Sequence, residues 1–128
     1  VNLGANKAQV IKALKEAEAY NGPSIIIAYA PCIAHGYNMN DRETHAKCAT
    51  TTGYWPLYRY NPETEELIWD AAPKTKDFKE HILTENRYRT LMMTHPQEAQ
   101  KLFSEAEKDN EYREKQYKQL QKQTEKKE

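Results

Sequence analysis

Apolar positions follow two different patterns in the first thirty residues of the chain. Between residues 5 and 20 they recur at helical spacing, and Asn6 precedes them as a candidate N-terminal cap. The run Ile25–Ala30 has no polar alternation, which is typical of a strand buried on both faces of a parallel sheet. Pro31 ends this run, and Cys32 follows at the strand's carboxyl end, where ligands bind in open α/β sheets. The pattern predicts a helix–strand unit of an α/β fold.

The middle of the chain is predicted to form a helix and then a β-hairpin. Residues 41–50 are predicted to be helical, with a helix stop at Gly53. The aromatic-rich segment 54–60 alternates as a strand does, and 66–70 is predicted to return as its partner across a turn at 61–65. We expect the aromatic side chains of this hairpin to pack on a neighbouring surface.

The last fifty residues are predicted to be helical. Short amphipathic helices are expected from Asp77 and from Glu85. A long final helix is expected to be capped by Thr94, with Pro96 in its first turn. Its end, residues 119–128, is almost wholly polar and is expected to fray. This helix could be an arm that contacts another subunit or a plain surface helix.

The strand prediction implies that further chain is needed. A strand covered on both faces has neighbours on each side, and Ile25–Ala30 is the one fully apolar run of this sequence. Leaving Ile25, Ile26 and Ile27 exposed would forgo roughly 1.5–3 kcal/mol each. We therefore expect the C-terminal portion of a longer polypeptide. Its predicted regions are 1–53 (α/β unit), 54–76 (hairpin and loop) and 77–128 (helical arm).

Composition restricts the class of function. Nineteen basic and nineteen acidic residues cancel, so bulk charge gives no case for nucleic acid or an anionic membrane. No apolar run approaches the roughly 20 residues of a membrane span, and no secretory signal opens the sequence. The two cysteines do not make a disulfide framework, which favours a reducing, cytoplasmic location.

Cys32 has three interpretations from the residues alone. It could be a buried structural thiol, since free cysteine is among the most buried residue types. It could be a nucleophile with His35 as its base. It could be a metal or cluster ligand whose partners lie elsewhere, because one cysteine cannot build such a site. Cys48, on the predicted helix, is expected to be structural, and a metal shared with His45 is only weakly indicated.

Three blocks of sequence resemble one family of enzymes. They are residues 4–20 ending in Glu-Ala-Glu-Ala-Tyr, residues 22–36 with Ala-Tyr-Ala-Pro-Cys-Ile, and residues 53–62. In this order and spacing they resemble the C-terminal end of pyruvate:ferredoxin (flavodoxin) oxidoreductase. The similarity covers residues 1 to about 120. One departure is Ala34, where asparagine is common in the family.

The resemblance implies an activity and a set of partners. The family decarboxylates pyruvate on thiamine diphosphate with Mg²⁺, forms acetyl-CoA from coenzyme A, and passes electrons through 4Fe–4S clusters to ferredoxin or flavodoxin. It implies that Cys32 is one ligand of the cluster nearest the thiamine, within the thiamine-binding domain of a homodimeric parent enzyme. The motifs for thiamine and magnesium precede residue 1, so no catalytic or thiamine-binding residue is assigned here.

The resemblance also implies what the chain does by itself. The remaining cluster ligands belong to the rest of the parent polypeptide, so the isolated chain is expected to be inactive. The alternative hypothesis is a non-catalytic interaction module, in which the sheet piece and the helical arm bind a partner.

Overall fold

The computed structural model describes residues 1–125, with side chains to residue 122. Short 3₁₀ turns at Ile33–His35 and Met39–Asp41 lie between the first two helices. In chain order the regular elements are α1 (Lys7–Ala19), α2 (Arg42–Thr51), β1 (Tyr58–Asn61), β2 (Glu66–Trp69), α3 (Phe78–Ile82), α4 (Asn86–Thr94) and α5 (Pro96–Glu125). Every helix and strand predicted after residue 40 is therefore present, within a few residues of its expected limits.

The N-terminal helix is confirmed together with its cap. The Asn6 side chain accepts a hydrogen bond from the backbone N–H of Gln9 at 3.0 Å, which satisfies one of the free donors of the first turn. Asn2, fully buried, donates from Nδ2 to the carbonyl of Ala46 at 2.9 Å. This bond holds the start of the chain against α2.

The parallel sheet expected around Ile25–Ala30 is not shown by this structure. The segment forms one parallel bridge, between Tyr29 and Asn2, and Ile25 and Ile27 are 88% and 64% exposed. A strand requires a ladder of backbone hydrogen bonds, and here Ile27 and Tyr29 bond only to the backbone of Val1 within residues 1–125. The bridge has the parallel direction that the α/β prediction requires.

The predicted hairpin is confirmed. Strands β1 and β2 pair antiparallel, with Tyr58 opposite Trp69 and Asn61 opposite Glu66. The hairpin packs on α5: the rings of Tyr58 and Tyr117 stack with centroids 4.6 Å apart. The expectation that the aromatic side chains contact a neighbouring surface is thus confirmed, and α5 is the helix that provides this surface.

The helical region has its own small core. Its buried members are Phe78, Ile82, Ala99 and Phe103, contributed by α3 and α5. In the part of the chain that the structure describes, no helix is long and apolar enough to cross a membrane.

The predicted start of the last helix was wrong in one detail. Thr94 ends α4, and its hydroxyl donates to the carbonyl of Thr90 at 2.9 Å, so it does not cap α5. Pro96 is the first residue of α5, as expected from its fixed φ and missing N–H. In this structure α5 continues to Glu125; residues 126–128, the rest of the segment expected to fray, lie outside the described part.

Candidate functional site

The loop after Pro31 presents Cys32 at the surface. Cys32 has an extended backbone and is exposed with a free thiol, and its carbonyl accepts from the N–H of His35 at 3.1 Å. The 3₁₀ turn Ile33–His35 ends at Gly36, which adopts a left-handed conformation with φ of 74°. Arg89 of α4 donates to the Gly36 carbonyl at 3.3 Å. The loop is therefore anchored just behind the cysteine.

The turn directs His35 towards a buried group of ionisable side chains. His45, on α2, and Glu85, at the N-cap of α4, are 5% and 1% exposed. His45 Nε2 lies 3.1 Å from Glu85 Oε1, and His35 Nδ1 lies 3.7 Å from the same oxygen. Three separate elements meet at one carboxylate oxygen.

Polar and aromatic neighbours surround this group. Tyr37 stacks on the ring of His45 with centroids 3.9 Å apart, and His81 lies on another side at 4.7 Å. Arg87 Nε donates to Glu85 Oε2 at 2.5 Å. The carboxylate is thus paired on one oxygen by a guanidinium and faces the two imidazoles with the other.

Burial controls the protonation of the histidines. Burial lowers the pKa of His45, although the carboxylate of Glu85 acts in the opposite direction. Burial, reinforced by His45, lowers the pKa of His81 to about 4. Both imidazoles are therefore neutral at pH 7.

The structure separates the residues that the sequence singled out. Cys32 and Cys48 are both free, so no disulfide joins them. Cys48 is half-buried, and burial raises the pKa of its thiol. His35 lies beside Glu85. The two ring nitrogens of His45 face Glu85 and Thr84, so His45 does not share a metal site with Cys48 in this structure, although the sequence weakly indicated one.

Sequence reasoning missed the role of Glu85 as the centre of this group. Glu85 is forty residues from His45 in sequence, so no local spacing connects them. The sequence marked Glu85 only as the start of a short helix, and its burial, which is rare for glutamate, is visible only in the structure. Only the fold brings the two together.

Comparisons with known proteins find relatives that are named as pyruvate oxidoreductases. The chain is 47% identical over 125 residues to "Pyruvate:ferredoxin oxidoreductase" of Moorella thermoacetica, covering 94% of this chain and 11% of that protein. It is 40% identical over 114 residues to "Probable pyruvate-flavodoxin oxidoreductase" of Escherichia coli, covering 85% and 10%. It is 42% identical over 112 residues to "Pyruvate-flavodoxin oxidoreductase" of a Nostoc species, covering 84% and 9%. No family model matches the chain.

These similarities show that the chain is homologous to a segment of large oxidoreductases. Its relatives are named pyruvate:ferredoxin and pyruvate-flavodoxin oxidoreductases, which confirms the resemblance carried by the three sequence blocks. The chain spans about a tenth of the length of the curated relatives it matches.

Proposed function

We propose that this chain supplies one thiolate, from Cys32, to a 4Fe–4S cluster of a pyruvate:ferredoxin or pyruvate-flavodoxin oxidoreductase. The observation that supports it best is the exposed Cys32 thiol on an anchored loop directly after Pro31. A ligand held by a short, restrained loop loses little conformational freedom when it binds. Relatives named as such oxidoreductases match this segment.

The donor set of this chain fits part of such a cluster. A 4Fe–4S cluster requires four cysteine thiolates, and the chain contains two cysteines. Cys48 is half-buried with a raised thiol pKa, which opposes the thiolate form that binds iron. Cys32 is therefore the proposed ligand, and the other ligands are assigned to the remainder of the parent polypeptide.

The same remainder is the proposed partner of the apolar segment after α1. Ile25, Ile27 and Ile33 are 88%, 64% and 79% exposed, and further strands and helices packed around this segment in a larger α/β sheet would cover them. We assign these side chains to the interior of the thiamine-binding domain of the whole enzyme. In this proposal the chain is C-terminal within the parent and is inactive when isolated.

The whole-enzyme activity belongs to the same proposal. It is the oxidative decarboxylation of pyruvate to acetyl-CoA, with electrons passing through the cluster to ferredoxin or flavodoxin in a reducing cytoplasm. Thiamine diphosphate and Mg²⁺ are assigned to residues outside this chain. The proposed contribution of this chain is to hold one corner of the cluster nearest the thiamine and so to serve electron transfer, in a parent that is proposed to be a homodimer.

The test compares two cysteine variants of the full-length protein purified without oxygen. Cys32→Ser is expected to lose the signal of one cluster in the dithionite-reduced EPR spectrum, about four iron atoms per polypeptide, and pyruvate-dependent electron transfer. Cys48→Ser is the matched control and is expected to keep the EPR signal, the iron content and the electron-transfer activity. An unchanged spectrum and full activity in Cys32→Ser would make Cys32 a structural or incidental thiol.

A further inference from the structure

The buried group around Glu85 contains three potential metal ligands. The ligand atoms of His35, His45 and Glu85 all lie within 4.8 Å of one another. They come from the loop after Cys32, from α2 and from the N-cap of α4, so a bound ion would join three elements. None of them is used in the function proposed above.

Their spacing suits a transition metal. Zinc binds imidazole nitrogen and carboxylate oxygen at about 2.0–2.2 Å, which places neighbouring ligand atoms roughly 3–3.5 Å apart. The observed separations from Glu85 Oε1 are 3.1 Å to His45 Nε2 and 3.7 Å to His35 Nδ1. Since the three ligand atoms lie only within 4.8 Å of one another, the side chains would have to close in by roughly 1 Å to bind one ion.

Thr84 can hold the His45 ring in the tautomer that metal binding at Nε2 requires. The Thr84 hydroxyl has a single proton, and its shorter contact is with the carbonyl of His81, at 2.7 Å against 3.2 Å to His45 Nδ1. Without a metal, His45 can donate from Nε2 to Glu85 Oε1, 3.1 Å away. A metal bound at Nε2 would take the place of this proton, and the ring would then donate from Nδ1 to the Thr84 oxygen, whose own proton stays on the shorter contact.

His35 gives an independent observation in favour of a bound ion. Its Nδ1 atom is buried and has no hydrogen-bond partner within the part of the chain that the structure describes. A buried nitrogen without a partner is unfavourable by roughly 1–3 kcal/mol. A metal ion would give this nitrogen a partner.

We propose that His35, His45 and Glu85 form a binding site for Zn²⁺, separate from the cluster ligand Cys32. Two imidazoles and one carboxylate suit zinc, whereas Mg²⁺ and Ca²⁺ prefer oxygen ligands. Thr84 and Arg87 orient the ligands, since Thr84 fixes the tautomer of His45 and Arg87 engages Glu85 Oε2. The ion would fix the loop that carries Cys32 against α2 and α4.

The first experiment measures zinc and iron in the full-length protein purified without oxygen. The wild type, dialysed against Zn²⁺ and passed over a chelating resin, is expected to hold one more zinc ion per polypeptide than His35→Gln or His45→Gln. His95→Gln is the matched control and should equal the wild type, because His95 lies outside the group. Iron content is expected to stay unchanged in all variants.

Zinc-edge X-ray absorption identifies the donors independently of any variant. The site is expected to show nitrogen and oxygen at about 2.0–2.1 Å, with no sulfur at about 2.3 Å. Zinc adventitiously held by cysteine would show the sulfur distance and would contradict the proposal. Equal zinc in the wild type and in the His35 variant would overturn it as well.

Two further variants separate a loss of folding from the loss of the hydrogen bond that orients His45. His45 is buried, so if His45→Gln also loses iron, the decision rests on His35→Gln, whose side chain is 22% exposed in the wild type and is more easily replaced. Thr84→Val is expected to keep the zinc but to bind it about tenfold more weakly, as loss of an orienting hydrogen bond does. Unchanged affinity in Thr84→Val would contradict the tautomer given to the metal-bound ring.

Discussion

Arg59 of β1 binds Asp70, the residue after β2, through two hydrogen bonds. Nε donates to Oδ2 at 2.7 Å and Nη2 donates to Oδ1 at 3.0 Å. The remaining nitrogen of the guanidinium, Nη1, contacts Glu16 of α1. Because Arg59 is only 8% exposed, this fork joins the hairpin to the first helix through a largely buried charge.

Removing the Arg59 fork is expected to lower the free energy of unfolding. Arg59→Met leaves the Asp70 carboxylate half-buried without its partner, and we expect a loss of roughly 1.5–3 kcal/mol. Glu16→Gln is the control: Glu16 is 47% exposed, so its loss should remain below about 1 kcal/mol. Urea denaturation of the 128-residue chain measures both, and equal losses would contradict the role given to the Asp70 pair.

The same pair gives a direction for acid sensitivity. Burial alone would raise the pKa of Asp70, but hydrogen bonds from Arg59 and Gln9 outweigh it and lower the pKa. A carboxyl whose pKa is lower in the folded state stabilises the fold at neutral pH. That contribution is lost as the pH falls through the folded pKa.

Gly36 is expected to tolerate no side chain. Its φ is +74°, and an added Cβ would lie 2.3 Å from Cβ of Asn86. Gly36→Ala should therefore cost at least about 1–2 kcal/mol from the left-handed backbone alone. It should also speed hydrogen exchange of residues 32–37 in the full-length protein.

Gly22 offers the matched glycine control. There an added Cβ would meet the end of the Tyr20 side chain, which can rotate away, and φ is not positive. Gly22→Ala is expected to change stability by less than about 0.5 kcal/mol. Similar hydrogen exchange in Gly36→Ala and the wild type would show that the loop behind Cys32 does not depend on this conformation.

The features that the sequence predicted depend on interactions between residues close together in the chain. The features that it missed depend on contacts between residues far apart in the chain. Helix starts depend on nearby residues, so Asn6 and Pro96 could be assigned from sequence. Thr94 was misassigned because adjacent helices compete for the same residue, and its hydroxyl bonds back into α4. The group at Glu85 depends on tertiary contacts across forty residues or more, for which the sequence carries no periodic signal.

His81 makes a separate prediction about pH. Burial, with a further contribution from His45, lowers the pKa of His81 from 6.5 to about 4, so the unfolded chain binds the proton more readily than the folded chain. Stability is therefore full above pH 6.5 and falls as the pH is lowered towards 4. The loss is expected to reach about 3 kcal/mol, from 1.36 kcal/mol per unit of pKa.

Denaturation at several pH values with a chelator present measures this slope. His81→Gln removes the titrating ring and should flatten the profile between pH 6.5 and 4, whereas His95→Gln should leave it unchanged. If His81→Gln kept the full slope, the acid sensitivity in this range would have to come from another group, such as His45, whose pKa is also lowered by burial.

The two cysteines are expected to react differently with an alkylating reagent. In protein freed of iron, Cys32 should react first because its thiol is exposed, whereas Cys48 is half-buried and burial raises its pKa. If the full-length protein holds the proposed cluster, Cys32 should be protected in it, since a thiolate bound to iron is not free to attack. Mass spectrometry of digested peptides measures both rates.

The protection of Cys32 is the decisive part of this comparison. A structural thiol would react at the same rate with and without iron, and a nucleophile activated by His35 would react rapidly in both. Only an iron ligand should change from protected to reactive when the cluster is removed. Cys48 serves as the internal reference: its rate should be the same in both forms, so a rise at Cys48 as well would indicate general unfolding on iron removal and not release of a ligand.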